Sequence, residues 1–482
     1  MRIAFVTTEL APWIKVGGLA DVSASLARAL SALGHTVQIL IPVTGPDCPP
    51  RSAGAVERSG SIGNSSFVWH ATALSSHLEI IWIGGVGFSD RRGGPYASST
   101  GEEWPDGVLR YGRLCEALAR AWISPGNEWG PRPDLVHVHD WPTGLLLLWI
   151  RTLGIPIPSV LTIHNLAYPG LFSRESFDRL GLPPQFWQAQ GGLEFYGSGS
   201  ALKAGLVFAD HLTTVSPSYA REILTPAFGH GLEGVLEERV NDLTGILNGI
   251  DPEIWSPVND PHLPSHYNAL DLTGKLNCRD TLIKRLHLAP SNGPLAAFIG
   301  RFTEQKGVDL LVEIAPWLIR RNWRLVLLGR GAPDIEQRVQ DLPRHHPGAI
   351  QVMIEQSEPW AHLIEAGADL FLMPSRFEPC GLNQQYSQRY GTLPIVHAVG
   401  GLIDTVRDAD QDADGTGFRF EPHTAESFFS ACLRAERAWS DSHRWLVLVR
   451  RVMQIDCSWQ ARAQPYIQIY ERLLAGRPDA PS

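Results

Sequence analysis

Residues 1–42, MRIAFVTTELAPWIKVGGLADVSASLARALSALGHTVQILIP, contain a complete pattern of strand, loop, helix and strand. Arg2–Thr7 is apolar and β-branched, which favours a strand, and an amphipathic stretch follows from Ala20 to Leu33. Gly34 ends this helix, and Val37–Ile41 forms the next apolar run. Elements in this order are typical of a parallel βαβ unit.

The same alternation of short apolar runs and helical patterns continues along the chain and predicts further strands. In the first half these are Leu135–Val138, Val160–Ile163 and Leu212–Val215, and in the second half they are Leu295–Ile299, Arg324–Leu328, Ile350–Ile354, Leu370–Met373 and Ile395–Ala398. A segment rich in Pro, Asp and Asn, Asn248–Asn268, separates the two series and predicts a linker. We therefore expect an α/β fold with two doubly wound domains, residues 1–247 and 248–457, followed by a terminal helix and tail, 458–482. Ligands of open α/β sheets bind beyond the carboxyl ends of the strands, so we expect the site in a central cleft that both domains face.

Composition excludes several classes of partner. The net charge is −9 and no Lys/Arg cluster could follow a nucleic-acid backbone, so we expect no nucleic acid. The apolar run 145–150 is much too short for a membrane span, and the N-terminus resembles a strand rather than a signal peptide. The six cysteines are widely spaced, at positions 48, 115, 278, 380, 432 and 457, which argues against a disulfide framework or structural zinc and for the cytoplasm.

The loop Lys15–Asp21 follows the first strand and opens the first helix. Gly17 and Gly18 allow a ligand to approach the backbone closely, and a helix N-terminus offers N–H groups to an anion. Lys15 adds a cation suited to phosphate. The loop is not a GxGxxG motif, and an ordinary tight turn remains the alternative.

Two loops of the second half repeat this arrangement. Gly300–Gly307 carries Arg301 and Lys306, two cations that could stabilise a leaving diphosphate without a divalent ion. Pro374–Leu382 places Glu378 before a predicted helix, where it could accept hydrogen bonds from sugar hydroxyls, although a helix-capping carboxylate is the alternative. The backbone amides from Cys380 to Asn383 could face phosphate.

Histidines and aspartates at strand ends suggest further sites. His137 and His139 share one face of a strand, so a metal pair is conceivable, but a loop that carries Asp140 toward a sugar fits better. His164 also ends a strand and could be a satisfied buried histidine or a site residue. Residues 408–414 resemble a DxD metal site, but we interpret them as a solvated loop, and we expect no metal.

Taken together, these segments resemble the bacterial glycogen synthases and plant starch synthases, retaining glucosyltransferases of the GT-B fold with two Rossmann-like domains. The matching blocks cover most of the chain in order: 15–21, 139–141, 162–165, 202–205, 215–217, 247–251, 300–307, 374–382, 391–394 and 400–402. Their occurrence together is far more specific than any single loop.

The resemblance implies a hexosyltransferase that moves glucose from ADP-glucose to the non-reducing end of an α-1,4-glucan, such as glycogen, without a cofactor. Lys15, Arg301 and Lys306 would hold the diphosphate, His164 and Asp140 would lie beside the transferred glucose, and Glu378 would contact the donor sugar. The implied catalytic residues are Glu378, His164, Arg301, Lys306 and Asp140. The implied substrate-binding residues are Lys15, Gly17, Gly18, Asp21, Tyr96 on the acceptor side, Asn248 by the cleft, Cys380, Gly381, Leu382 and Asn383.

The chain departs from the family pattern at three positions. Glu355-Gln356 stands where a Gly-Tyr pair is frequent near the adenine ring, Asn383 replaces a frequent Thr, and Gly107 replaces a frequent Asn. These departures leave two alternatives open: a related GT-B enzyme that uses UDP-glucose, or a glucan-binding paralogue without turnover. A glucan phosphorylase is disfavoured because no segment indicates a pyridoxal phosphate lysine.

Overall fold

The structure, a computed structural model, describes residues 1–45, 49–62, 65–124 and 130–476. Cys48 and the tail beyond Gly476 lie outside the described residues. The chain forms two compact units, one of Met1–Gly249 with Trp459–Ser482 and the other of Ile250–Ser458.

The first unit contains a nine-stranded sheet in the order β12-β11-β7-β6-β1-β2-β5-β4-β3 and a three-stranded sheet in the order β8-β10-β9. Its strands are β1 Arg2–Val6, β2 Thr36–Pro42, β3 Arg58–Ser61, β4 Phe67–Ser75, β5 Leu78–Gly85, β6 Leu135–His139, β7 Ser159–Ile163, β8 Leu171–Phe172, β9 Glu194–Phe195, β10 Ser198–Ser200, β11 His211–Thr214 and β12 Leu243–Gly245. Its first helices are α1 Gly18–Ala32, α2 Gly107–Ile123, α3 Asp140–Thr152, α4 Arg174–Arg179, α5 Ala201–Phe208, α6 Pro217–Glu222 and α7 Glu233–Glu238.

The pairs from β12 to β5 are parallel, as the apolar runs predict, because strands covered on both faces are apolar throughout. All five residues of β6 and all five of β7 are buried. The sequence analysis did not predict the antiparallel strands β3 and β4, which extend this sheet beyond β5.

The second unit contains a six-stranded parallel sheet in the order β15-β14-β13-β16-β17-β18. Its strands are β13 Leu295–Ile299, β14 Arg324–Leu328, β15 Ile350–Met353, β16 Leu370–Met373, β17 Leu393–His397 and β18 Phe418–Phe420. Its helices are α8 Thr273–Arg285, α9 Val308–Ile319, α10 Pro333–His345, α11 Glu358–Gly367, α12 Asn383–Arg389, α13 Gly401–Thr405, α14 Ala425–Ser440 and α15 Ser442–Met453.

The C-terminal segment returns to the first unit. The single terminal helix predicted from Ser458 is instead two helices, α16 Trp459–Arg462 and α17 Gln464–Ala475, with Pro465 in the first turn of α17. Trp459, Tyr466 and Tyr470 are buried in one apolar cluster with residues of β1 and α1. These aromatic side chains therefore serve packing.

Strand order reverses at one place in each parallel sheet, between β1 and β6 in the first unit and between β13 and β16 in the second. The connections that leave these strands diverge to opposite faces of the sheet and leave a crevice at its carboxyl edge. The loops after these four strands carry most of the site residues named from the sequence.

Candidate functional site

The loop after β1 is organised by Glu9, which the sequence analysis did not identify. Glu9 Oε2 accepts hydrogen bonds from the amides of Val16 and Gly17, both at 2.8 Å, and Oε1 accepts one from the Tyr96 hydroxyl at 2.9 Å. Burial raises the pKa of Glu9 despite these bonds. Glu9 could have been identified in the sequence as a carboxylate that follows an apolar strand and precedes a Gly-Gly loop.

Glu9 determines which backbone N–H groups of this loop are available to bind an anion. Glu9 occupies the amide of Gly17, so the backbone N–H groups that could face phosphate begin at Gly18, the first residue of α1. Lys15 Nζ lies 2.9 Å from Asp21 Oδ1, and both side chains are partly exposed. The structure thus joins Lys15 and Asp21 into one charged pair at the start of α1.

Tyr96 connects this loop to the loop after β6. Its hydroxyl contacts Thr8 Oγ1 at 2.8 Å as well as Glu9, and its ring centroid lies 6.4 Å from that of Trp141. Asn248, at the end of the first unit, is buried. The predicted acceptor-side tyrosine therefore belongs to the crevice between β1 and β6.

Asp140 begins α3 in a left-handed conformation with φ 54°, which Asp tolerates better than most residues. Its Oδ1 accepts hydrogen bonds from the amide of His164 at 2.7 Å and from that of Asn165 at 3.4 Å. Burial raises the pKa of Asp140 to about 7, and the nearby Glu9 adds to the increase. The structure brings Asp140 and His164 together, as the resemblance implies for residues beside one sugar.

Three histidines line the carboxyl ends of β6 and β7. His137 and His139 are completely buried, and His139 Nδ1 lies 2.9 Å from His164 Nε2. Burial lowers the pKa of His137 and of His164 to about 3, so these rings are neutral at physiological pH. Within the described ranges, no group of three or more His, Cys, Asp or Glu side chains is arranged to hold a metal ion.

In the second unit, the loops after β13 and β16 touch at Gly307. This residue has φ 65°, and a Cβ atom there would lie 1.7 Å from the carbonyl oxygen of Pro374. The contact brings Lys306 Nζ to 2.5 Å from Glu378 Oε2, which also accepts a hydrogen bond from Ser375 Oγ at 3.0 Å. Glu378 therefore pairs with a cation of the neighbouring loop, and its bonds to Lys306 and Ser375 are not those of a helix-capping carboxylate.

A second ion pair fixes the same two loops. Arg376 contacts Asp309 of α9 through two bonds of 2.7 and 2.6 Å, and its amide donates to the carbonyl of Gln305 at 2.8 Å. Arg301 is exposed, and its guanidinium donates to Gln305 Oε1 at 3.0 Å. The two predicted diphosphate-binding cations thus lie on one rigidly braced loop.

The segment from Cys380 to Asn383 enters α12. Gly381 has φ 72°, in the left-handed region, and Cys380 is buried. The side-chain Nδ2 of Asn383 donates to the carbonyl of Ile299 at 2.7 Å. The Asn383 side chain therefore ties the start of α12 to β13, and the backbone amides from Cys380 to Asn383 remain the candidate phosphate contacts.

The interpretation of residues 408–414 as a solvated loop is wrong for Asp408. This residue is buried and lies 2.8 Å from Arg434, while Asp410 lies 2.6 Å from Arg444. Asp412 and Asp414 are exposed. The first two aspartates therefore serve as ion-pair partners that hold this segment on α14 and α15.

Known sequences match this chain along its whole length. The sequence model described as starch synthase catalytic domain matches residues 2–238, and that described as glycosyl transferases group 1 matches residues 280–445. The glycogen synthase of Thioalkalivibrio sulfidiphilus is 44% identical, with 98% of this chain and 100% of the relative covered. That of Cellvibrio japonicus is also 44% identical, with 98% and 99% covered. This chain belongs to the glycogen synthase family.

Solved structures agree with membership of the glycogen synthase family. The catalytic domain of starch synthase IV from Arabidopsis thaliana, bound to ADP and acarbose, matches with a TM-score of 0.86 and 30% identity over 98% of this chain and 99% of that chain. Sucrose-phosphate synthase from Thermosynechococcus elongatus matches with a TM-score of 0.61 and 19% identity over 99% and 100%, which shows the fold alone. The predicted GT-B fold class and the predicted hexosyltransferase class are confirmed.

Membership of the glycogen synthase family implies a nucleotide-sugar donor and a glucan acceptor. Among the described residues, no helix combines the length and apolar character that a membrane crossing requires. The site residues fall into two sets, one around Glu9, Asp140 and His164 in the first unit and one around Lys306 and Glu378 in the second.

Proposed function

We propose that this chain transfers glucose from ADP-glucose to the non-reducing end of an α-1,4-glucan, with retention of configuration. The observation that carries the proposal is the pair formed by Lys306 and Glu378, with Nζ and Oε2 2.5 Å apart where strand order reverses in the second unit. The similarity to a starch synthase whose structure contains ADP and acarbose supports both the donor and the acceptor.

The charges of the second unit suit the departure of a diphosphate. Lys306 is held by Glu378, and Glu378 is held in turn by Ser375, so the ammonium has a fixed position before any donor binds. A preorganised cation stabilises negative charge on a leaving group without reorganising during the reaction. We assign Arg301 and Lys306, together with Lys15, to the diphosphate, and Glu378 to the donor sugar.

The first unit supplies the groups proposed to contact sugar. Asp140 and His164 are joined through the amide of His164 at 2.7 Å, and Tyr96 is held by Glu9. We assign Asp140 and His164 to the transferred glucose and Tyr96 to the acceptor side. We assign the remaining substrate contacts to Gly18, Asp21, Asn248, Cys380, Gly381, Leu382 and Asn383. We assign to Gly17 a close approach of the ligand to its Cα, because its amide is bonded to Glu9.

We propose a cytoplasmic location and no cofactor. The five cysteines within the described ranges, Cys115, Cys278, Cys380, Cys432 and Cys457, are buried thiols that form no disulfide with one another. Free thiols are typical of a reducing compartment. The proposed charge stabilisation comes from side chains, so the reaction should proceed without added metal.

The test is incorporation of labelled glucose into glycogen from ADP-glucose and, separately, from UDP-glucose, without added metal. We expect strong incorporation from ADP-glucose. Preference for UDP-glucose would overturn the donor, and Gln356, exposed after β15 where the family often has Tyr, is the residue to examine then. No incorporation from either donor would favour the glucan-binding paralogue.

The same assay tests the assignment of Glu378. Glu378→Gln should lower kcat by about 10²- to 10³-fold, the usual loss when one preorganised electrostatic contact is removed. Glu304→Gln is the matched control, because Glu304 is exposed and lies two positions from Lys306 on the same loop. Similar kcat values for the two variants would remove Glu378 from the mechanism.

A further inference from the structure

His139 lies beneath His164 and shares a hydrogen bond with it. His139 is 0% exposed, and its Nδ1 lies 2.9 Å from His164 Nε2. The ring of Phe5 lies 4.2 Å from the His139 ring, and that of His137 lies 4.3 Å away, measured between centroids. These neighbours restrict rotation of the His139 ring, so its Nδ1 is held toward His164.

The bond between the two rings contains one proton. Burial lowers the pKa of His164 to about 3 and that of His139 well below its ordinary value. Both rings are therefore neutral near pH 7, and a neutral imidazole has one N–H donor and one acceptor nitrogen. One ring must donate and the other must accept.

The other nitrogen of His139 indicates which ring donates. His139 Nε2 is buried and has no hydrogen-bond partner among the described residues. If His164 donated, His139 would have its own N–H at this enclosed position with no acceptor. Orphaned buried N–H groups are rare in proteins, whereas a bare ring nitrogen there leaves no donor unsatisfied. The arrangement therefore favours His139 as the donor, through Nδ1.

We propose that His139 is a positioning residue that fixes His164 as the tautomer with its proton on Nδ1 and presents that N–H to an oxygen of the donor sugar. The inference rests on the proposed function, in which His164 lies beside the transferred glucose. Asp140 complements His139, because it holds the backbone amide of His164 at 2.7 Å while His139 holds the ring. Two neighbouring residues thus fix the orientation of one histidine.

His137 provides a matched control. It lies two residues before His139 on the same face of β6 and is equally buried, but it bonds Thr162 Oγ1 at 2.6 Å and the Tyr470 hydroxyl at 2.8 Å. Neither of these two bonds involves His164. A substitution here disturbs the same core and removes one of the two rings that pack on His139, but it leaves Phe5 and both nitrogens of the bond from His139 to His164.

The direct test is ¹⁵N NMR of the full chain labelled at histidine, with the spectrum of His164→Gln used to assign His164. We expect Nε2 of His164 to have the shift of a bare ring nitrogen and Nδ1 that of a protonated one. In His139→Leu the bond is lost, and His164 should become a mixture of tautomers. A protonated Nε2 of His164 in the wild-type chain would overturn the proposal.

The kinetic test uses glucose transfer to glycogen. Partners that orient metal-binding histidines typically contribute about 10- to 100-fold to activity. By analogy, we expect His139→Leu to lower kcat by a similar factor with little change in KM for the donor. His139→Asn, whose amide can donate from the position of Nδ1, should recover much of kcat, and His137→Asn should resemble wild type. Normal kcat in a folded His139→Leu variant would overturn the role.

The two readouts separate this inference from the proposed function. If the wild-type chain transfers glucose from neither donor, the proposed function fails, while the NMR spectrum still determines which histidine donates. If His139→Leu does not fold, the wild-type spectrum and His139→Asn decide. An Asn variant that folds and has the His164 tautomer of wild type but lacks activity would contradict the positioning role.

Discussion

Asp140 is assigned to the sugar site, and burial of its carboxyl group makes ionisation unfavourable. Its carboxyl group accepts two backbone hydrogen bonds, which favour the charged form, but burial outweighs them and raises its pKa to about 7 from the ordinary value of 3.8. Such opposing effects are typical of functional sites, where a group is placed for chemistry rather than for stability. The consequence is a dependence of folding stability on pH that one substitution should remove.

Asp140→Asn should stabilise the folded chain increasingly as pH rises. Below the unfolded pKa of 3.8 both states of wild type are protonated, so the raised pKa has no effect on stability. Between 3.8 and about 7 the unfolded state ionises first and wild type loses stability, and above about 7 the loss is complete. Asn can still accept from the His164 amide but does not ionise.

The measurement is the free energy of unfolding of both proteins by urea from about pH 4 to pH 8. Asp178→Asn, on the exposed helix α4, reports the effect of removing a surface charge. A constant difference between wild type and Asp140→Asn across this range would mean that Asp140 is not held with a raised pKa. The rate of glucose transfer by Asp140→Asn does not test the raised pKa, because the substitution also changes the proposed contact with sugar.

At the level of elements, the second unit depends on the close approach of the loops after β13 and β16. Gly307→Ala should disrupt this approach, because a left-handed conformation costs a residue with a Cβ atom roughly 1–2 kcal/mol. In addition, the new Cβ would lie 1.7 Å from Pro374 O, so the loops must separate. We expect a lower Tm and a kcat reduced toward that of Glu378→Gln, because Lys306 moves away from Glu378.

The control for this substitution is Gly234→Ala. Gly234 lies in α7, and a Cβ atom there would meet nothing within 4 Å. Alanine in a helix should stabilise by about 0.5–1 kcal/mol. Thermal unfolding and glucose transfer are measured for both variants. If Gly307→Ala keeps wild-type kcat, the approach of the loops is not what positions Lys306.

The elements that the sequence predicts well are those with a local signature. Buried parallel strands such as β13, β14 and β16 are continuous apolar runs, and their predicted bounds agree with the structure. The strand β4 is a long, partly polar stretch that lies between β5 and the edge strand β3, and its place depends on antiparallel pairing with both. The residues of β4 alone therefore did not predict a strand.

The same distinction applies to the site. Lys306 and Glu378 were recognisable because each follows an apolar strand beside glycine or proline, although their 2.5 Å contact depends on the fold. Glu9 was not recognised, since its function comes from amides and a tyrosine that only folding brings to it. The bond from Asn383 Nδ2 to the Ile299 carbonyl was not predicted either, because it requires β13 to lie beside the start of α12.

At the scale of the whole molecule, the two units differ in which parts of the chain form their apolar clusters. The apolar cluster of the second unit contains only residues from 296 to 452. The cluster of the first unit contains residues 3–246 together with residues of α16 and α17. An amphipathic terminal helix does not reveal from its own sequence which unit it covers, so this asymmetry emerged only from the structure.

The asymmetry predicts how fragments should fold. Residues 250–458 should unfold cooperatively in urea when expressed alone, because their sheet and apolar cluster are complete. Residues 1–249 alone should not, because they lack Trp459, Tyr466 and Tyr470, all at most 3% exposed in the full chain. Removing one such aromatic side chain costs about 3–5 kcal/mol, and three exceed the stability of many domains, roughly 5–15 kcal/mol.

A peptide of residues 459–476 added to the 1–249 fragment should restore cooperative unfolding, with a midpoint that rises with peptide concentration by mass action. The same peptide with Tyr470→Ser and Ile467→Ser should not, because both side chains are buried in the first unit. If the 1–249 fragment unfolds at the same midpoint with and without the peptide, the terminal helices cover the first unit without being required for its fold.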